Sequence, residues 1–198
     1  ASTGPLDRAL DYYGKTLKID HAHIRARLNR CSIYMAIDEG RKALDDAEIL
    51  LDLAPNFILA RFRKAEAGMM LGEWAKARED LDIVLERAPH HHQAMTQLAA
   101  CFIALGRPER AEAPLNDALR IAPNHAPAWH QRGLLYHEWG RHNNALSDFE
   151  AAVKSEAEHL DAHLHIAAMH HEAERFDQAG AAWRAVLNLD PDHVVAKT

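Results

Sequence analysis

The chain has 198 residues and a formal net charge of −6, from 23 lysines and arginines against 29 aspartates and glutamates. This balance argues against a general attraction to nucleic acid or to an anionic membrane surface. Uninterrupted apolar runs are only a few residues long, so the sequence predicts no membrane-spanning segment.

The chain is organised on a period of 34 residues. An alanine recurs at this interval along the whole sequence: Ala9, Ala43, Ala77, Ala111, Ala145 and Ala179. Columns of proline, glycine and apolar residues keep the same phase. A fixed period of this size is typical of stacked copies of one supersecondary unit, in which each copy covers the apolar face of its neighbour.

In chain order, the first segment, 1–23, is predicted to be the second helix of a partial unit. Five full units are expected after it: 24–57, 58–91, 92–125, 126–159 and 160–193. Residues 194–198 are expected to be the stub of a following helix. Because the chain begins and ends inside a unit, we expect it to be a fragment of a larger protein.

The fourth full unit illustrates the internal pattern. Trp129, Gly133 and Tyr136 recur at steps of four and three, which is one face of a helix. Gly140 then permits the left-handed backbone of a tight turn, and a second helical series containing Phe149 follows. In most units a proline closes this second series. The sequence therefore predicts two antiparallel helices in each unit, at least ten helices in all, and no β-strand.

These columns resemble the tetratricopeptide repeat, whose pattern is Trp-x2-Leu-Gly-x2-Tyr followed by Ala, Phe and Pro. The fourth full unit carries the best match, with Arg132 in place of the family's Leu and Ala157 in place of its Pro: Trp129, Gly133, Tyr136, Ala145 and Phe149. The resemblance covers essentially all of residues 4–193. It implies an all-α fold, a right-handed superhelical solenoid of antiparallel helix hairpins.

The resemblance also implies a function, because the family binds partner proteins. The partner is usually a short peptide segment in a concave groove that the first helices of the units line. The residues at the matching groove positions are Arg25, Leu28, Asn29, Ser32, Met35, Leu59, Phe62, Arg63, Glu66, Met69, Gln93, Thr96, Gln97 and Gln131. The expected function is thus a non-enzymatic scaffold that binds a peptide or helix of a partner protein, with no cofactor, no nucleic acid and no membrane.

Histidine is unusually frequent, with 15 residues. One column falls in the loop before each first helix, and we interpret it as a repeated loop feature: His23, His91, His125, His159 and His193. A second group lies at groove columns of the last two units and supplies candidate ligands for zinc or a similar ion: His130, His137, His165 and His171. The simpler interpretation is a polar groove without metal, which we prefer. We expect His163 and His170, at the Trp129 and Tyr136 columns, to pack between helices.

No catalytic motif is evident. His137-Glu138 is followed by Arg141 at the position where a zinc-protease helix has its second histidine. Phosphate-binding loops and nucleophile elbows are also lacking in the sequence. Cys31 and Cys101 show no pairing pattern, which favours a reducing compartment and a cytoplasmic location.

Two alternative functions are considered. The repeats could be a docking or regulatory array of a larger enzyme, such as a glycosyltransferase, sulfotransferase or hydroxylase. They could also be a self-assembly module, because an uncovered terminal unit exposes an apolar face that a second copy can cover, giving a homo-oligomer.

Overall fold

The computed structural model describes residues 4–197, and side chains of residues 4–196. The described residues form eleven α-helices and two 3-10 helices and contain no strand, which confirms the predicted all-α fold. The α-helices are α1 (Pro5–Ile19), α2 (Ile24–Ala36), α3 (Gly40–Leu53), α4 (Ile58–Met70), α5 (Trp74–Arg87), α6 (His92–Ala104), α7 (Glu112–Ile121), α8 (Ala126–Glu138), α9 (His142–Ser155), α10 (Leu160–Glu172) and α11 (Phe176–Leu189). The 3-10 helices are Pro108–Arg110 and Val195–Lys197.

The helices form two compact units, divided after Arg107. We call them the N-terminal unit, which contains α1–α6, and the C-terminal unit, which contains α7–α11. Within each unit, consecutive helices pack against each other in sequence order. In the N-terminal unit the first helices α2, α4 and α6 also contact one another in that order. Their exposed sides therefore form a shared surface, which we call the first-helix face.

Small residues bring the helices of a hairpin together. In the alanine column, Ala77, Ala111 and Ala145 are at most 1% exposed. The thiol of Cys31 donates to the carbonyl of Ala43 over 3.3 Å, which links α2 to α3. Burial raises the pKa of this thiol to about 12, so Cys31 is a small apolar core residue and not a reactive nucleophile.

The turns that follow α2, α4, α6, α8 and α10 share one geometry. In each, a residue with positive φ follows the first helix, and the next backbone N–H donates to the carbonyl five residues earlier, as Arg141 does to Tyr136 over 2.8 Å. Glycine occupies this position at Gly72, Gly106 and Gly140. Asp38 and Glu174, which interrupt the glycine column, adopt the same backbone with φ of 60° and 56°. The turn is therefore kept even where the side chain disfavours it.

Helix α7 begins late. The equivalent helices α3, α5, α9 and α11 begin two residues after the turn residue with positive φ, whereas α7 begins at Glu112 after the 3-10 helix Pro108–Arg110. Pro114 explains this difference, because it has no N–H to donate to the carbonyl of Arg110 and so cannot continue an α-helix that starts earlier.

Buried ion pairs link the two helices of three hairpins. Asp46 on α3 accepts from both Arg27 (2.9 Å) and Arg30 (2.7 Å) of α2 and is 2% exposed. Asp80 pairs in the same way with Arg61 and Lys64, and Asp148 with Arg132. Because both oxygens of Asp46 and Asp148 accept hydrogen bonds, much of the desolvation cost of these buried charges is offset.

Candidate functional site

A cavity of about 550 Å³ opens on the first-helix face of the N-terminal unit. Residues of three helices line it: Ser32, Met35 and Ala36 of α2, Arg63, Glu66, Met69 and Met70 of α4, and Gln97 of α6. Side chains at positions i and i+3 or i+4 share one helix face, which explains why the α4 residues point the same way. The structure thus brings together six of the groove residues predicted from the sequence.

The cavity is mainly apolar and carries one internal ion pair. Nη1 of Arg63 donates to Glu66 over 2.7 Å, and both side chains are partly exposed. The hydroxyl of Ser32 donates to the carbonyl of Leu28 in its own helix, over 3.2 Å, so its proton is not available to a ligand. Methionine side chains can adjust their shape to different apolar partners. The cavity therefore suits an apolar side chain beside a polar group that competes for Arg63 or Glu66.

Two predicted groove residues, Phe62 and Thr96, are wrongly assigned, because both are buried. Phe62 is 5% exposed, and its ring packs against the ring of His91 with the centroids 4.6 Å apart. Thr96 is 3% exposed and donates to the carbonyl of His92. At these two positions the side chain belongs to the core and cannot contact a ligand on the surface.

The other predicted groove residues lie outside the lining of the cavity. Arg25, Leu59 and Gln93 are exposed, and Leu28 is partly buried. The amide of Asn29 donates to the hydroxyl of Tyr13 over 3.1 Å. Gln131 belongs to α8 of the C-terminal unit, and its Oε1 has no hydrogen-bond partner among the described residues.

Two of the four candidate metal ligands, His130 and His165, form an imidazole cluster with His159, and this cluster lacks the geometry of a metal site. The ring of His130 lies 4.8 Å from that of His159 and 5.4 Å from that of His165, and His165 stacks on Phe149 at 4.7 Å. Across the described part of the chain, no three His, Cys, Asp or Glu side chains converge as a metal site. His137 contacts His142 instead, and the exposed His171 contacts Phe176.

Burial determines the ionisation of this cluster. Desolvation lowers the pKa of His130 to about 4, and the neighbouring His159 and His165 lower it further while Asp161 opposes the shift. Desolvation also lowers the pKa of His165. His130 and His165 are therefore neutral at pH 7 and pack as aromatic rings.

The histidine column in the loops caps helices. Nδ1 of His23, His91, His159 and His193 accepts the backbone N–H three residues later, at 3.1–3.4 Å. This is the bond that an N-cap Ser or Asp ordinarily makes. The sequence indicated a repeated loop feature but did not identify it as a helix cap. The position of each histidine directly before a helix start is the signal from which the cap could have been inferred.

Two ring side chains of one column form hydrogen bonds with backbone carbonyl groups of the preceding loop. The indole N–H of Trp129 donates to the carbonyl of Pro123 over 2.7 Å, and His163, in the same column, bonds to the carbonyl of Ala157 over 2.9 Å. His170 is 7% exposed. The expectation that His170 packs between helices agrees with its burial, whereas His163 is only partly buried and bonds to a loop carbonyl.

No helix in the described residues is both long enough and apolar enough to cross a membrane.

Comparisons with known proteins identify the repeat. Tetratricopeptide repeat models match residues 68–132 and 126–159. No curated protein shows a significant sequence match to the chain.

Structures of similar fold are found at low identity. A thermophilic tetratricopeptide repeat protein of Thermus thermophilus has a TM-score of 0.76 at 24% identity, over 88% of this chain and 95% of that chain. YrrB, described as a tetratricopeptide repeat protein with an unusual peptide-binding site, has a TM-score of 0.62 at 19% identity, over 93% of this chain and 95% of that chain.

A larger assembly contains the same fold. The chain matches the crystal structure of the APC/C hetero-tetramer Cut9-Hcn1 with a TM-score of 0.85 at 16% identity, over 97% of this chain and 38% of that chain. The two matching repeat models, the helix hairpins and the similar structures agree with the residue columns described above. Residues 68–159 belong to the tetratricopeptide repeat family, and the chain has the fold of tetratricopeptide repeat proteins.

Proposed function

We propose that this chain is a protein-interaction scaffold that binds a partner segment on the first-helix face of its N-terminal unit. The observation that carries the proposal is the cavity of about 550 Å³, in which Met35, Met69 and Met70 surround the Arg63–Glu66 pair. An apolar concavity with a few polar groups is the usual form of a ligand site. The peptide-binding site described for YrrB supports the same mode of action.

The chemistry of the cavity suggests what a partner offers. Its apolar side chain packs against the methionines, and its polar group competes with Glu66 for Arg63 or with Arg63 for Glu66. A carboxylate of the partner can also approach the exposed Arg25. An arginine beside apolar surface is a frequent anchor of protein interfaces.

The test uses peptides selected from a random display library against the wild-type chain. Met70→Glu places a charge at the cavity, where Met70 is 40% exposed, and Leu53→Glu places the same charge on α3, where Leu53 is 44% exposed. We expect Met70→Glu to weaken binding at least tenfold, about 1.4 kcal/mol, and Leu53→Glu to leave the dissociation constant nearly unchanged. Equal effects of the two substitutions would place the binding surface elsewhere.

Phe62 is unsuitable for such a test. Truncating a buried phenylalanine costs about 3–5 kcal/mol of stability, so Phe62→Ala would reduce binding by unfolding the unit.

We also propose self-association as a second interaction, through the C-terminal unit. A cavity of about 400 Å³ there is lined by His171, Phe176, Trp183 and Val195, among others, and Phe176 is 64% exposed. Exposed apolar surface of this kind favours contact with another apolar surface. Sedimentation at several concentrations should show association that Phe176→Glu abolishes; a wild-type chain that stays monomeric at hundreds of micromolar would refute this proposal.

A further inference from the structure

The ring of His91 connects the start of α6 to the helix that lines the cavity. Its Nδ1 accepts the N–H of Ala94 over 3.1 Å, and its face packs on Phe62 of α4 at 4.6 Å. The residue after Phe62 is Arg63, which lines the cavity, and α6 contributes Gln97 to the same cavity. One imidazole is therefore in contact with both helices that meet at this part of the site.

The cap requires neutral imidazole. A nitrogen that accepts a hydrogen bond has no proton, whereas imidazolium is a donor at both nitrogens. Protonation of His91 at Nδ1 would thus remove the acceptor of the Ala94 N–H and place a second donor beside it. The first turn of α6 would lose its side-chain cap, and a positive charge would stand next to the Phe62 ring and near Arg63.

Burial and the neighbouring charges lower the pKa of His91. Desolvation by burial lowers it from its ordinary value near 6.5, a hydrogen bond with its own backbone opposes this shift, and the electrostatic effects of His92 on α6 and Arg63 on α4 lower it further. Arg87, at the end of α5, is engaged with Asn56, and the preceding residue His90 is exposed. Because the folded-state pKa is depressed, the cap is complete above the unfolded-state pKa and is lost as the pH falls towards the folded-state value.

We propose that His91 is a pH-sensitive cap that holds α6 in place at neutral pH and releases its first turn on acidification, which alters the cavity beside Arg63 and Gln97. The effect on partner binding rests on the site proposed above; the effect on the helix start does not. Asparagine is an equally good N-cap acceptor and does not titrate between pH 5 and pH 8, so His91→Asn keeps the cap and removes the switch.

The experiment measures amide hydrogen exchange of the whole chain by NMR at pH 7.5 and pH 5.0, with each rate divided by the intrinsic rate at that pH. For the wild type we expect the protection of the Ala94 amide to fall about fivefold on acidification, the loss of a typical N-cap. For His91→Asn we expect a change of less than about twofold. Constant protection in the wild type, or an equal loss in His91→Asn, would overturn the proposal.

Two further measurements complete the test. The nitrogen chemical shifts of His91 at pH 7.5 should report a proton on Nε2 and none on Nδ1, and the opposite tautomer would also overturn the proposal. The affinity of a library-selected peptide should fall between pH 7.5 and pH 5.0 for the wild type more than for His91→Asn. Since the exchange measurement involves no peptide, it decides the proposal on the helix start even if the binding site lies elsewhere.

Discussion

Gly133 provides the space into which Phe149 packs. A Cβ added at Gly133 would lie 2.7 Å from Cε1 of Phe149, closer than such atoms approach in proteins. We expect Gly133→Ala to lower the free energy of unfolding by about 1–3 kcal/mol, because overpacking outweighs the better helix propensity of alanine. Denaturant unfolding measures the effect.

The matched control is Gly180, which is also within a helix but has open space around it. Gly180→Ala should leave stability unchanged or raise it by up to about 1 kcal/mol. If the two variants were equally stable, the close packing of α8 on α9 at Gly133 would be wrong.

His130 makes the C-terminal unit sensitive to acid. Its pKa in the folded chain is about 4, below the ordinary value of 6.5, so the folded state resists protonation and stability falls as the pH decreases from about 6.5 to about 4. Each pKa unit corresponds to about 1.4 kcal/mol, but the ring is partly exposed, and solvent screening reduces the loss to about 1–2 kcal/mol. His130→Phe should remove this part of the pH dependence of denaturant unfolding between pH 7.5 and pH 5; an unchanged dependence would contradict it.

Individual residues show where sequence reasoning reached its limit. The burial of Ala77, Ala111 and Ala145 follows from the sequence, because small residues in register indicate close helix contacts. Phe62 could not be assigned from periodicity alone: its column lies at the border between surface and core, and the ring of His91 decides on which side it falls. Likewise, the sequence could suggest metal ligands in the C-terminal unit, but the relative orientation of the imidazole rings depends on their packing around Phe149.

At the scale of the secondary-structure element, the backbone strain of each turn depends on whether glycine occupies the position with positive φ. Asp38 and Glu174 adopt positive φ without the freedom of glycine, which costs about 1–2 kcal/mol for ordinary residues and less for aspartate. We expect Glu174→Gly to raise the free energy of unfolding by up to about 1 kcal/mol, measured by denaturant titration. Gly140→Ala, the reverse change in an equivalent turn, should lower it by about 1 kcal/mol. If the two substitutions changed the free energy of unfolding in the same direction, the prediction would be wrong.

The helices themselves were well predicted, because each hairpin repeats the same small-residue columns and the same turn. The late start of α7 was not. It follows from Pro114, whose position four residues after Arg110 interrupts the first α-helical turn, an effect that a search for periodic columns does not consider.

For the whole molecule, the acidic excess and the many histidines together determine how the net charge changes with pH. The chain carries a net charge of −6 with neutral histidines, and its isoelectric point is about 6.2. We expect solubility to pass through a minimum near this pH, because protonation of exposed histidines cancels the excess of acidic groups. Electrophoretic mobility should reverse sign there. A chain that stays anionic well below pH 6 would show that far more histidines are held neutral than His91, His130 and His165.

The buried ion pairs have a consequence for duplication and redesign. Asp46, Asp80 and Asp148 are each satisfied by a basic residue of their own hairpin, so a copied hairpin brings both partners with it and needs no new charge from its neighbours. The equivalent positions in the last hairpin are Ile166 and Ala182. Ile166→Arg together with Ala182→Asp would therefore introduce the same ion pair, whereas Ala182→Asp alone would place an unmatched carboxylate at a partly buried position.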